Sequence, residues 1–128
     1  MVDMALPIVL FVDGDASILI ALTRALRRDC IDIRATTSPH EALEIAMNEE
    51  VAVFVYDWLL PEMSGTELAQ RIRCLRPNVE LILSSGAGDS DGNAVFAMVS
   101  KASPIGGMRA AVSGAIECYY SRECRRTG

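Results

Sequence analysis

Five short, mostly apolar segments alternate with helical patterns along the chain. They lie at residues 8–12, 31–35, 51–56, 79–83 and 95–99. Continuous apolar runs of this length are typical of strands buried on both faces of a parallel sheet, and the alternating second run is typical of a strand nearer an edge. Strands that alternate with helices pair in parallel through right-handed crossovers. The pattern therefore predicts one α/β domain with a five-stranded parallel sheet.

Helix signals follow four of these segments. The first helix is predicted over residues 17–28, with Asp15 placed to cap it. Two more begin at capping boxes, where a Ser is followed three residues later by a Glu, and these boxes start at Ser38 and Ser64. The last helix opens at Ser103-Pro104, and its apolar stripe consists of Met108, Val112, Ala115, Ile116 and Tyr119.

Two segments fall outside this alternation. Residues 87–93, rich in Gly, Asp and Ser, offer no amphipathic helix, so we predict a short turn or loop there. Residues 121–128 form a polar tail that we expect to be frayed. The single domain therefore has its core in about residues 7–120.

Composition and charge narrow the function classes. The 128 residues are 51% hydrophobic, enough for one sizeable core. A net charge of −5 argues against a nucleic-acid surface. No apolar run approaches the roughly 18 residues of a membrane span, and the N-terminus is too short for a signal peptide, so we expect a cytoplasmic protein with no membrane contact.

The cysteines and the single histidine do not indicate a metal site of their own. Cys30, Cys74, Cys118 and Cys124 contain no C-x-x-C pair and no zinc-like spacing to His40. We therefore expect reduced thiols. His40 lies in the polar first turn of the second predicted helix, where a structural role at the surface is expected.

Polar residues of a particular kind stand where four of the strands end. Asp13 follows the first strand, Asp57 the third, Ser85 the fourth and Lys101 the fifth. The carboxyl ends of parallel strands meet at one edge of a sheet, where open α/β folds bind ligands. Two acids would hold a hard Mg²⁺ ion, and an ammonium and a hydroxyl would contact phosphoryl oxygens. Taken alone, Asp57 could equally be the first polar residue of a loop.

At these residues the sequence resembles the receiver domain of two-component response regulators. The resemblance rests on the stretches IVLFVDGD, VFVYDWLLPEMSG, LILSSG and VSK, and it extends from Pro7 to about Tyr120. It implies a flavodoxin-like three-layer sandwich with strand order 2-1-3-4-5. The helix that the family has between the fourth and fifth strands would be short or replaced by a loop.

The resemblance also implies a chemistry. Asp57 would be the phosphoacceptor, taking a phosphoryl group from a histidine kinase or phosphotransfer protein. Asp13, Asp57 and the backbone carbonyl of Leu59 would bind Mg²⁺, while Ser85 and Lys101 would contact the phosphoryl group. Such a domain turns over no external substrate, and its only catalysis would be its own phosphorylation and dephosphorylation.

Four departures from the family pattern bear on this expectation. Gly14 replaces the second acid after the first strand, so Mg²⁺ binding should be weakened unless Asp15 substitutes for that acid. Met98 occupies the position of an aromatic switch residue. Ala102 replaces a proline that usually has a cis bond, which predicts either a trans bond with a re-routed loop or a strained cis bond. The fourth departure is the short span between Ser85 and Lys101.

A second hypothesis follows from these departures. The chain could be a degenerate receiver that acts as a phosphorylation-independent interaction or dimerisation module, with a second copy of itself as one partner. A flavin-binding or hydrolytic enzyme on the same fold is disfavoured, because no Gly-rich phosphate loop follows the first strand and no G-x-S-x-G elbow is present. The residues do not identify the kinase or the output partner.

Overall fold

The computed structural model describes residues 5–85 and 93–127, and it describes side chains as far as Arg122. In chain order the elements are β1 (Ile8–Val12), α1 (Ala16–Leu26), β2 (Asp32–Thr36), α2 (Pro39–Asn48), β3 (Val51–Asp57), α3 (Gly65–Leu75), β4 (Glu80–Ser85), β5 (Ala97–Ser100) and α4 (Ile105–Thr127). Most of residues 87–93, where we predicted a turn, lie outside the described residues.

The five strands form one parallel sheet in the order β2-β1-β3-β4-β5. This confirms the predicted flavodoxin-like architecture. The central strand β3 is buried from Val51 through Tyr56 because helices cover both faces of the sheet. One apolar cluster packs against α1 and α4, and a second packs against α2 and α3. The sheet therefore holds the carboxyl ends of all five strands at one edge.

The predicted helix starts are confirmed by their caps. The hydroxyl of Ser38 accepts the backbone N–H of Glu41 at 3.2 Å, and the hydroxyl of Ser64 accepts that of Glu67 at 3.1 Å. Each bond satisfies one N–H group that has no partner within the helix. Four residues of the stripe predicted on α4 are buried, and they are Met108, Val112, Ala115 and Tyr119.

Several boundaries differ from the prediction, and three of the differences have a visible cause. Strand β5 begins at Ala97 because Val95 instead packs in the cluster under α2 and α3. Strand β4 continues through Ser85, since its two final serines still pair with the neighbouring strands. The prediction of a frayed tail was wrong, since helix α4 continues to Thr127. There Arg122 Nε lies 3.1 Å from the buried carboxylate of Glu80.

Two further points concern the described residues alone. They include no cis peptide bond, so the bond between Lys101 and Ala102 is trans, one of the two predicted outcomes. None of their helices is both long and apolar enough to cross a lipid bilayer.

Candidate functional site

Three of the four predicted residues meet at the carboxyl edge of the sheet. Asp13 directly follows β1, Asp57 ends β3, and Lys101 directly follows β5. The ammonium nitrogen Nζ of Lys101 lies 2.9 Å from Asp13 Oδ2 and 3.0 Å from Asp57 Oδ2. One cation therefore bridges two carboxylates that are distant along the chain.

Burial makes this bridge electrostatically significant. The side chains of Asp13 and Asp57 are 6% and 14% exposed, so neither carboxylate is fully solvated. Two carboxylates that contact the same ammonium and are largely shielded from water repel each other unless a cation offsets their charge. For Lys101, burial lowers the pKa, but the bonds to the two carboxylates raise it by more, and the pKa lies above its ordinary value. Counted as two carboxylates and one ammonium, the three side chains have a formal net charge of −1.

Ser85 lies at the same edge of the sheet, but its side chain is on the opposite face of the sheet from that of Asp57. It is buried, and its backbone carbonyl accepts the N–H of Lys101 at 2.9 Å. Side chains alternate along a strand, so Ser85 shares the face of Leu83, in the cluster under α2 and α3. No hydrogen bond within the described residues joins its hydroxyl to the carboxylate of Asp57.

The structure adds Ser84, which our sequence analysis did not single out. Ser84 is the register partner of Asp57 and shares the face of Ile82, in the cluster under α1 and α4. Together with Lys101 it lines a cavity of about 110 Å³ below the site. The two consecutive serines were visible in the sequence, and the period of two shows that only one of them can share a face with Asp57.

The loop after β3 is shaped by the close approach of Gly65. A Cβ atom on Gly65 would lie 1.9 Å from the backbone oxygen of Asp57, so no side chain fits there. The N–H of Gly65 donates to the carbonyl of Trp58 at 2.9 Å. This contact folds the loop back on the strand end. In the same loop, the N–H of Leu59 lies 3.4 Å from Asp57 Oδ1.

Asp15 caps α1, as its position predicted. Its Oδ1 accepts from the backbone N–H and the hydroxyl of Ser17, and its own N–H donates to Asp13 Oδ1 at 2.9 Å. The hydrogen bonds from Ser17 lower the pKa of Asp15. A role for Asp15 as a metal ligand stays a prediction.

The oxygen donors near Asp57 fit the usual mode of Mg²⁺ binding. A Cβ atom on Gly14 would lie 3.9 Å from the carbonyl oxygen of Leu59, which places that oxygen beside the loop that follows Asp13. Mg²⁺ commonly uses one or two carboxylates, retains several waters and takes further oxygens from a phosphate. Asp13, Asp57 and the Leu59 carbonyl have the donor chemistry of such a set, and their role as ligands stays a prediction. The described residues contain no cluster of three acidic, His or Cys side chains suited to a metal.

Two remaining departures have visible consequences. Met98, at the switch position, is 51% exposed on β5. The N–H of Ala102, which a proline would lack, donates to the hydroxyl of Ser100 at 3.2 Å. The loop after Lys101 is therefore held by a side-chain hydrogen bond.

A parallel sheet in this order, with two acids and a lysine at its carboxyl edge, defines the class of receiver domains. The family model of the response regulator receiver domain matches residues 9–104. Because this match covers most of the chain, the protein belongs to that family.

Curated and solved relatives agree with the family. The transcriptional regulatory protein SrrA of Staphylococcus aureus is 34% identical over 65 residues, which are 51% of this chain and 27% of that protein. The chain thus spans only a minor part of the curated relatives that it matches. The crystal structure of adenylate cyclase from Rhodopirellula baltica is similar, with a TM-score of 0.87 and 26% identity over 94% of both chains.

Two further structures show the fold. The signal receiver domain of an HD domain-containing protein from Pseudomonas fluorescens has a TM-score of 0.88 and 24% identity, and the match covers 98% of this chain and 97% of that one. A CheY-like receiver domain from Methanospirillum hungatei has a TM-score of 0.84 and 22% identity, covering 91% of this chain and 98% of that one.

Proposed function

We propose that Asp57 accepts a phosphoryl group from a histidine kinase or phosphotransfer protein, and that the modified domain changes its interaction with an output partner. The observation that supports this most is the bridge from Lys101 to Asp13 and Asp57. It places a fixed positive charge beside a carboxylate that ends the central strand. Phosphoryl transfer depends mainly on such positioning and charge stabilisation.

The two oxygens of Asp57 have different surroundings. Oδ2 is held by Lys101 at 3.0 Å, whereas among the described residues Oδ1 has only the long 3.4 Å contact to the N–H of Leu59. We assign Oδ1 as the nucleophile. Its lone pair forms the new bond to phosphorus, the bond from phosphorus to the donor atom breaks, and the leaving group departs with that electron pair. The ammonium of Lys101 offsets the negative charge that accumulates beside it.

Receiver domains generally bind Mg²⁺ at the phosphorylation site, and here Asp13, Asp57 and the carbonyl of Leu59 would hold it. When bound, the ion supplies positive charge to the phosphoryl oxygens. The affinity should be weaker than with a second acid, because Gly14 contributes no oxygen. In our proposal Ser84, which shares a face with Asp57, contacts the phosphoryl group from β4 in place of the predicted Ser85, and Lys101 does so from the loop after β5.

A phosphorylation-independent module is the second candidate. It is favoured by Gly14, which removes one acid, and by Asp15, whose Oδ1 is already occupied by Ser17. The exposed Met98 offers no polar tip with which to couple the site to a partner surface. Under this alternative the bridge of Lys101 to the two acids is only structural, and the domain binds its partner or a second copy of itself in a single state.

The first experiment measures incorporation of a phosphoryl group from acetyl phosphate. Wild type, Asp57→Asn and Asp13→Asn are compared with and without millimolar Mg²⁺. We expect label on the wild type that depends on Mg²⁺, and none on Asp57→Asn, which keeps the shape of the side chain. Equal label on wild type and Asp57→Asn would refute the proposal.

A second experiment separates the two candidates. Trp58 is the only tryptophan of the chain and directly follows Asp57, so its fluorescence reports on the site. A saturable change on Mg²⁺ titration that is lost in Asp13→Asn supports the phosphoacceptor. A flat titration together with no phosphoryl incorporation supports the phosphorylation-independent module.

A further inference from the structure

The loop after β5 is held by hydrogen bonds that begin at Ser100. The carbonyl of Ser100 accepts the N–H of Ser103 at 3.0 Å, and its hydroxyl accepts the N–H of Ala102 at 3.2 Å. Between them, the N–H of Lys101 donates to the carbonyl of Ser85 at 2.9 Å. Three consecutive N–H groups after β5 therefore have acceptors, and Ser100 supplies two of them.

We propose that Ser100 is a positioning residue for Lys101 and acts through its side-chain hydroxyl. The proposal deepens the phosphoacceptor function and rests on it, because Lys101 is the group that contacts Asp57. A proline at position 102 would have a fixed φ and no N–H group. Ala102 has neither property, so its N–H needs an acceptor and its backbone needs another restraint. The Ser100 hydroxyl supplies both.

A restraint on the backbone of Lys101 matters because its side chain is long and flexible, yet its ammonium must contact two carboxylates at once. A lysine side chain has four flexible methylene groups, and fixing it costs considerable rotamer entropy. Its ammonium must nevertheless meet two carboxylates at 2.9 and 3.0 Å. The N–H of Lys101 bonded to β4 fixes the backbone before the side chain, and the bond from Ala102 to Ser100 fixes the backbone after it. Loss of the second bond should reduce the bridged population.

The expected effect is modest because the loop is exposed. Water can replace the Ser100 hydroxyl as an acceptor for the N–H of Ala102. The net contribution of a single hydrogen bond then corresponds to roughly a two- to tenfold change in an equilibrium. We therefore expect the bridged state of Lys101 to become roughly two- to tenfold less favoured when the hydroxyl is removed.

The test uses the fact that Lys101 is the only lysine of the chain. Its acylation by a small amine reagent, followed by mass spectrometry in the unphosphorylated protein, measures how often the ammonium leaves its carboxylates. Ser100→Thr keeps a hydroxyl and Ser100→Val has nearly the same shape without one. We expect the wild-type rate for Thr and a rate two- to tenfold higher for Val. The N-terminal amine is the internal reference, and Ser103→Ala is the control within the loop.

The route through Ala102 has its own test. Ala102→Pro removes the donor, so in that background Ser100→Val should no longer change the reactivity of Lys101. Equal rates for Ser100→Val and Ser100→Thr in the otherwise wild-type chain would overturn the proposal. An undiminished effect of Val in the Ala102→Pro background would overturn it as well. Circular dichroism of each variant verifies that the domain remains folded.

The same variants separate this inference from the proposed function. If Asp57 is the phosphoacceptor, Ser100→Val should slow its modification by acetyl phosphate by a similar factor, and Ser100→Thr should not. If no variant is modified, wild type included, the phosphoacceptor function fails, while the reactivity of Lys101 still decides whether Ser100 positions it. If wild type is modified and Ser100→Val matches it in both assays, the positioning role fails and the proposed function stands.

Discussion

Restoring an acid at position 14 should convert a weak Mg²⁺ site into a stronger one. A Cβ atom on Gly14 would lie 3.8 Å from Pro61 Cδ and 3.9 Å from the carbonyl oxygen of Leu59. Both are ordinary van der Waals contacts, so a Cβ atom at position 14 fits without displacing its neighbours. The new side chain would start beside the Leu59 carbonyl, in the loop that directly follows Asp13.

The charges around position 14 set the expected change in stability and in Mg²⁺ affinity. Asp13, Asp57 and Lys101 together have a net charge of −1, and a new negative charge at about 6 Å with an effective dielectric constant of about 20 is opposed by about 3 kcal/mol. Position 14 is exposed, so solvent and salt screening reduce this figure to about 1 kcal/mol of lost unfolding free energy without metal. A divalent cation is attracted with the opposite sign and twice the charge. We therefore expect Mg²⁺ to bind about tenfold or more tightly.

The assay is a Mg²⁺ titration of Trp58 fluorescence, combined with urea unfolding at low and high Mg²⁺. Gly14→Asp should be less stable than wild type without metal and should recover stability as Mg²⁺ is added. Gly14→Asn is the matched control, since it has the same shape without the charge. If Gly14→Asp and wild type titrate identically, or if Gly14→Asn tightens binding as much, the site geometry proposed around Leu59 is wrong.

Three further predictions concern the supports of the site. In Gly65→Ala the new Cβ atom and the Asp57 carbonyl, 1.9 Å apart, must separate by more than 1 Å, so urea unfolding should show a loss of about 3–4 kcal/mol. Ser64→Ala removes the α3 cap and should cost about 1 kcal/mol, whereas Ser64→Asp should restore it. The ion pairs raise the pKa of Lys101, so they stabilise fully below its ordinary pKa of 10.5 and are lost as pH rises through the higher folded value. Unfolding measured against pH should therefore show Lys101→Met less stable than wild type by about 1–2 kcal/mol at pH 7 to 9, with the gap closing only above pH 10.5. A gap that closes at lower pH would contradict the raised pKa.

The sequence predicts the charged part of the site because topology alone assembles it. Asp13, Asp57 and Lys101 each stand at the end of an apolar run, and parallel pairing brings such ends to one edge. Ser84 was missed for a different reason. Which of two consecutive serines shares a face with Asp57 depends on strand register, and register is set by pairing between distant segments.

Local patterns also failed where a contact distant in sequence decides the structure. The apolar run at residues 95–99 predicts a strand, but Val95 packs on the other face of the sheet and the pairing with β4 begins at Ala97. The polar tail predicts a frayed end. Arg122 instead pairs with Glu80, a buried acid at the start of β4, and helix α4 continues beyond it. Neither contact has a local signature.

The most direct test of the account is to locate the phosphoryl group. The wild type is treated with acetyl phosphate and Mg²⁺, the acyl phosphate is reduced with borohydride, and the tryptic peptide of residues 35–71 is sequenced by mass spectrometry. Asp57 is the only aspartate in that peptide. We predict that reduction converts Asp57 to homoserine. An unmodified peptide, or a modification at any other residue of the chain, would contradict the role of Asp57.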